Sequence, residues 1–148
     1  MARVLLVFFL LGFAGSLVLA VEPEEVVGLE FMVGTLSGYA GGIGGGFVLA
    51  SIFVYGAEGW EALGRLLAGF ILGYTGGAAL GASLGVAAVG SFFGVGGNLG
   101  LCFLGGAGGA GLVLGPRLIT SWDFVFWFLP PAAAAGATAG FNVGARSR

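Results

Sequence analysis

The sequence has no histidine, no lysine and one cysteine, and only 8% of its 148 residues are charged. Each shortage removes a class of function. Without histidine, and with Cys102 as the lone thiol, no zinc or haem ligand set can be assembled. The base of a serine or cysteine nucleophile pair is missing as well. A single cysteine forms no intrachain disulfide and reads as a small buried hydrophobe in its apolar run. The five basic residues are arginines scattered over the chain at Arg3, Arg65, Arg117, Arg146 and Arg148. A nucleic-acid footprint needs a clustered basic face, so nucleic acid is not an expected partner. No catalytic residue, cofactor or metal ligand is predicted, and the chain is not expected to be an enzyme.

What the chain has instead is apolar surface and glycine: 58% hydrophobic residues, 33 glycines and a mean hydropathy of +1.09. A soluble domain is usually about 25% charged, so this composition cannot cover a water-facing surface. The length suits several spans of about 20 residues each. The predicted partner is therefore a lipid bilayer.

The first residues read as an export signal. Arg3 is the positive flank, Val4 to Leu19 is apolar, and Val18-Leu19-Ala20 ends on a small residue suited to cleavage. The stretch is also nearly long enough to stay as an uncleaved anchor helix, and both readings of residues 1–20 stand. Either one places the acidic run Val21-Glu22-Pro23-Glu24-Glu25 outside the cytoplasm. Residues 21–148 then read as a single glycine-rich transmembrane domain.

Four apolar stretches follow. The first, about Val26 to Tyr55, carries Gly34, Gly38, Gly42 and Gly46. After the turn Gly56-Ala57-Glu58-Gly59-Trp60-Glu61, the second, about Leu63 to Val89, carries Gly69, Gly73, Gly77, Gly81 and Gly85. Trp60 suits a membrane interface. A glycine-rich link, Gly90 to Asn98, leads to the third stretch, Leu99 to Gly115, with Gly105 and Gly109 and the parallel row Ala107, Gly111 and Gly115. Pro116-Arg117 stops it. Trp122-Asp123 opens the last stretch, to about Gly144, with Ala132, Gly136, Gly140 and Gly144. Four-residue spacing stacks these positions on one helix face, and a face without side chains lets another backbone approach, which drives helix association in lipid. A barrel is excluded because its strands alternate over about ten residues. The expected fold is an all-α membrane protein, a bundle of about four transmembrane helices in two hairpins behind the N-terminal signal or anchor.

Pro130-Pro131 is expected to break or kink the last helix, since proline removes a donor and clashes with the preceding turn. The freed carbonyls then need protein partners, which points this segment at the bundle interior. Arginine placement allows two topologies. With every stretch crossing, Arg146 and Arg148 lie outside; a re-entrant last segment puts all five arginines in the cytoplasm. Full crossing is the primary expectation.

Chemistry-bearing patterns are few. Gly106 to Gly111 matches G-x-G-x-x-G, but the match sits inside an apolar run without the strand and acidic residue that a dinucleotide site requires. Glu58, Glu61 and Arg65 read as a surface ion-pair group in a first helical turn. Glu30 is different, because ionisable groups within a membrane are costly and often functional, although one turn into its stretch it can reach interfacial water. Tyr39, Tyr74 and Asn142 are the other intramembrane polar candidates. Together with Thr35, Ser37, Thr75, Ser83 and Thr138, they read as hydrogen-bonding groups between packed helices or as the wall of a narrow polar path.

The rows Gly34/Gly38/Gly42/Gly46 and Gly69/Gly73/Gly77/Gly81/Gly85, paired behind a secretion signal, resemble the glycine-zipper proteins of bacterial envelopes. These include the two-helix domains of outer-membrane surface antigens. The end of the chain, Pro130-Pro131 followed by Gly140-Phe141-Asn142-Val143, is similar to the tail of small exported bacterial proteins. The surface antigens are typically lipoproteins, whereas no cysteine follows the apolar leader here, so the inner membrane is favoured over the outer. The resemblance implies a structural or assembly role through self-association or contact with other membrane proteins, and supplies no catalytic residues. A small pore or transporter, or an accessory subunit of a larger membrane complex, are the alternative functions.

Overall fold

A computed structural model describes residues 23–117, 125–143 and 146–147. The expected signal or anchor over residues 1–20, the Trp122-Asp123 opening and Gly144 lie outside the described residues.

Among the described residues the chain forms four helices: α1 (Pro23–Val54), α2 (Gly59–Phe92), α3 (Leu99–Arg117) and α4 (Val125–Asn142). Two of them, over Val26–Val54 and Gly59–Phe92, are long and apolar enough to cross a membrane, while Leu99–Gly115 is a shorter apolar helix. Gly56, with φ +72°, makes the sharp α1–α2 reversal that a side chain would resist. Tyr55 and Trp60 flank this turn and are each 88% exposed.

The link after α2 is shorter than its glycine content suggests. Helix α2 continues to Phe92, and Val95–Gly96 forms a short strand, β1, antiparallel to β2 at Arg146–Ser147. This two-residue pair ties the end of the chain to the α2–α3 link. It is the one departure from an all-helical architecture among the described residues.

The helices pack as two antiparallel hairpins. Along α1 and α2 the pairing descends in steps of four: Ser37 faces Gly81, Gly41 faces Gly77, Gly45 faces Gly73 and Leu49 faces Gly69. Along α3 and α4, Leu101 faces Gly140, Gly105 faces Gly136 and Gly109 faces Ala132. The first hairpin is far longer, with helices of 32 and 34 residues against 19 and 18. At 1.5 Å per residue that is about 50 Å against about 28 Å.

Size is distributed inside out compared with a soluble protein. The interior is built from Ala78, Ala82, Ala110, Ala133, Ala134 and Ala137 around Tyr74, Leu129, Val86 and Phe141. The large side chains Leu36, Phe47, Ile52, Leu72, Leu80 and Leu84 point outward.

Of the break or kink expected at Pro130-Pro131, the break does not occur: α4 runs through both prolines from Val125 to Asn142. Pro130 is buried, and its Cβ packs over Gly38 of α1. The reason the helix survives lies in two tyrosines.

Candidate functional site

Two polar groups occupy the seam where α4 meets the first hairpin. The first surrounds the prolines. In a regular helix the N–H of residue 130 bonds the carbonyl of Phe126, and that of residue 131 bonds Trp127. Proline has no N–H to give. The Tyr74 hydroxyl, from α2, donates to the Phe126 carbonyl at 3.0 Å, and the Tyr39 hydroxyl, from α1, donates to the Trp127 carbonyl at 2.6 Å. Each tyrosine therefore substitutes for one missing backbone donor. Ring contacts hold them in place: Tyr74 meets Phe126 edge-on at 5.5 Å and stacks with Phe70 at 6.0 Å.

The second group lies at the other end of α4. Glu30 is fully buried, which excludes the interfacial water contact its sequence position allows. Asn142 Nδ2 donates to Glu30 Oε2 at 2.5 Å and to the Thr138 carbonyl at 2.9 Å. Glu30 Oε1 and Thr138 Oγ1 are buried with no hydrogen-bond partner. Such atoms carry a desolvation cost of about 1–3 kcal/mol each, and in a native fold they call for an explanation.

Glycine shapes the surroundings of this carboxyl. A Cβ on Gly90 of α2 would run into the Phe141 ring and come within 2.8 Å of Glu30 Oε1. A Cβ on Gly97 would meet the same ring. Phe141 thus occupies a slot that exists only because both positions lack side chains. Next to Phe141 is a pocket of about 220 Å³, lined by Ser91, Gly94, Gly97, Leu99 and Phe141 among others. The Phe141 carbonyl accepts from the Asn98 N–H at 3.0 Å, and Asn98 Oδ1 accepts from Leu101 N–H at 3.0 Å at the start of α3.

A third contact joins the hairpins beside this group. Ser83 Oγ donates to Ala79 O at 2.8 Å and approaches Cys102 O at 3.3 Å, while Cys102 Sγ donates to Ser83 O at 3.4 Å. Gly106 provides the room, since a Cβ there would strike Ser83 Oγ.

The sequence-selected residues take distinct places. All of Gly69, Gly73, Gly77, Gly81 and Gly85 abut α1: four of them face the carbonyls of Leu49, Gly45, Gly41 and Ser37, and Gly85 faces the Ser37 side chain. Gly105, Gly109, Gly136 and Gly140 form the α3–α4 seam. On α1, Gly34 and Gly38 sit against Val86, Ala134 and Pro130, whereas Gly42 and Gly46 receive the rings of Tyr74 and Phe70. Among the α1 glycines, the closest backbone-on-backbone contacts are made by Gly41 and Gly45, which lie outside the row Gly34, Gly38, Gly42 and Gly46. Their signal was present in the doublets Gly41-Gly42 and Gly45-Gly46, two parallel rows one residue apart. Of the small hydroxyl residues, Thr35, Ser37 and Thr75 bond back to carbonyls of their own helices rather than across to a neighbour. Glu61 and Arg65 pair at 2.5 Å on the exposed start of α2, where such a pair adds little stability. The Gly106 to Gly111 run is mid-helix in α3.

No protein-family model, no curated protein and no solved structure matches this chain.

Proposed function

We propose that the chain is a non-enzymatic integral membrane protein of a bacterial envelope, a structural or assembly component whose helices cohere through glycine-zipper packing. The observation that carries this reading is the inverted size distribution. Alanine, glycine and a few polar groups fill the interior, while Leu36, Phe47, Leu72, Leu80 and Leu84 face out. In water such an exterior would aggregate; in lipid it is the expected one, and small residues are then what helix contacts require. The long helices exceed a hydrocarbon core of about 30 Å, and Tyr55 and Trp60 suit the interface. We read all four helices as crossing, in the inner membrane.

Since the glycine rows are engaged within the chain, self-association falls to outward positions. Gly108, Gly111 and Gly115 on α3 have open space where a Cβ would be. The test is membrane extraction followed by mass measurement in mild detergent. The protein should resist alkaline carbonate extraction and run as an oligomer, and Gly111→Leu should reduce it to a monomer. Release by carbonate would sink the membrane assignment, and a wild-type monomer would sink the assembly role.

A second reading, a small ion transporter, is favoured by one observation: a carboxyl enclosed in the bundle with an oxygen left unpartnered. Buried polar atoms of this kind in a membrane bundle commonly mark an ion path.

A further inference from the structure

The Glu30 environment has three features that the packing of a bundle does not require. Among the described side chains Glu30 is the one buried carboxylate, and a single amide donor, Asn142, serves it. A second unpartnered oxygen, Thr138 Oγ1, lies one turn before Asn142 on the same helix. Phe141, between Thr138 and Asn142 in sequence, touches both the Gly90 surface that Glu30 Oε1 lies against and the pocket beyond. The ring thus packs beside the carboxyl and also borders the open space of the pocket.

We propose that Glu30 is an exchangeable proton-binding site, with the pocket between Ser91 and Leu99 as its aqueous vestibule and the Phe141 ring as the barrier between them. The inference names the ion of the transporter reading above and rests on that reading for its biological use.

The chemistry follows from the enclosure. An ionised carboxylate shut away from water needs several donors or a cation, and this one has one donor. Its neighbours are Gly90 from α2, and Thr138, Phe141 and Asn142 from α4. The Cys102 thiol of α3 belongs to the same buried cluster as Phe141 and is the one titratable side chain in that cluster. None of these carries a positive charge. A bound proton removes the charge and leaves a carboxylic acid whose O–H can donate, while Oε2 keeps the Asn142 bond. Binding and release move only H⁺ between the carboxyl and water, so no co-reactant is needed. Release requires water to reach the group, and the pocket that Phe141 lines offers a route past that ring. That ring turns without displacing a helix only if Gly90 and Gly97 stay bare, and both are glycine.

The experiment is infrared spectroscopy of the full-length protein in phosphatidylcholine liposomes, with Glu30→Gln assigning the band of the Glu30 acid. Wild-type protein should show this band at acidic pH, lose it reversibly as the pH rises, and shift it slowly on transfer to deuterated buffer. Phe141→Ala should speed that deuterium shift by about tenfold or more, because the opening step that limits exchange is removed. Phe141→Leu, which keeps apolar bulk should the alanine variant fail to fold, should speed it less. Absence of the band at every pH, or an exchange rate indifferent to residue 141, would overturn the proposal. So would loss of the band on adding sodium chloride at fixed pH, which would identify a metal-cation site instead. Proton uptake into the same liposomes, followed with an entrapped pH dye, tests the transport reading separately. A pH-sensitive, Phe141-gated band in proton-tight liposomes upholds the site and overturns transport; proton flux that survives Glu30→Gln leaves transport standing and overturns the use of this site in it.

Discussion

The Tyr74 hydroxyl bonds the carbonyl of Phe126, the one carbonyl that Pro130, four residues on, is unable to serve. The same exchange links Tyr39, Trp127 and Pro131. A tertiary contact thereby completes the hydrogen bonding of a secondary structure. Removing the hydroxyl in Tyr74→Phe should lower stability by about 1 kcal/mol. In a Pro130→Ala background the loss should shrink, since residue 130 then carries its own N–H. Thermal unfolding in detergent of the four proteins of this cycle measures the coupling. Equal losses in both backgrounds would mean that the tyrosine acts through packing alone.

Adjacent glycines on α2 should respond in opposite directions. A methyl at Gly77 would be driven into the Gly41 backbone, while Gly76 has nothing within 4 Å. Gly77→Ala should destabilise by about 1–3 kcal/mol through overpacking. Gly76→Ala should stabilise by about 0.5–1 kcal/mol, because alanine loses less freedom in a helix. Detergent-denaturation midpoints decide the matter, and Gly77→Ala matching Gly76→Ala would remove the α1–α2 seam from the account.

Truncating one partner of the Glu30–Asn142 pair should cost more than truncating both. Asn142→Leu leaves Glu30 without its one donor and is expected to cost about 1–3 kcal/mol. The double variant Glu30→Leu/Asn142→Leu removes both polar groups and should recover most of that loss, as replaced buried pairs often do. The comparison is again one of unfolding midpoints, and a double variant weaker than Asn142→Leu would contradict it.

The outward face gives a test of environment. Leu80 and Leu84 are exposed on α2, so a soluble protein would tolerate arginine at either. In a bilayer Leu80→Arg should oppose insertion by about 2.5–3.5 kcal/mol if the position is central. The inserted fraction in a glycosylation-tagged translocation assay should fall accordingly, and unchanged insertion would count against a lipid-facing surface.

Much of this architecture is legible in the chain. The four-residue glycine spacing announces helices, and the turn at Gly56 bounds the first two within a few residues. The two hairpins follow from the repetition of the glycine-spaced stretches. What the sequence hides is partnership over distance. Asn142 is 112 positions from Glu30 and Tyr39 is 88 from Trp127, and no local pattern pairs them. The expectation of a break or kink at Pro130-Pro131 weighs only the local cost of proline, whereas the compensating donors come from other helices. Gly41 and Gly45 were overlooked for a related reason: two rows of glycine one residue apart look alike until a neighbouring backbone selects between them. Glu30 could be singled out as unusual, but its enclosure depends on Phe141 and Gly90, which carry no signal of their own.

The glycine seams also decide how the bundle should respond to temperature. Where α1 meets α2, carbonyls of Gly41, Gly45, Gly73 and Gly77 point at bare Cα positions across the interface, the geometry of weak Cα–H···O contacts worth about 0.5–1 kcal/mol each. Parting the hairpin in a bilayer would transfer backbone from backbone to acyl chains and bring almost no apolar side chain into water. The heat-capacity increment that bends the stability curve of soluble proteins arises from hydrating such side chains, so here it should be small. The free energy of helix separation should then vary almost linearly with temperature, with no cold-denaturation limb.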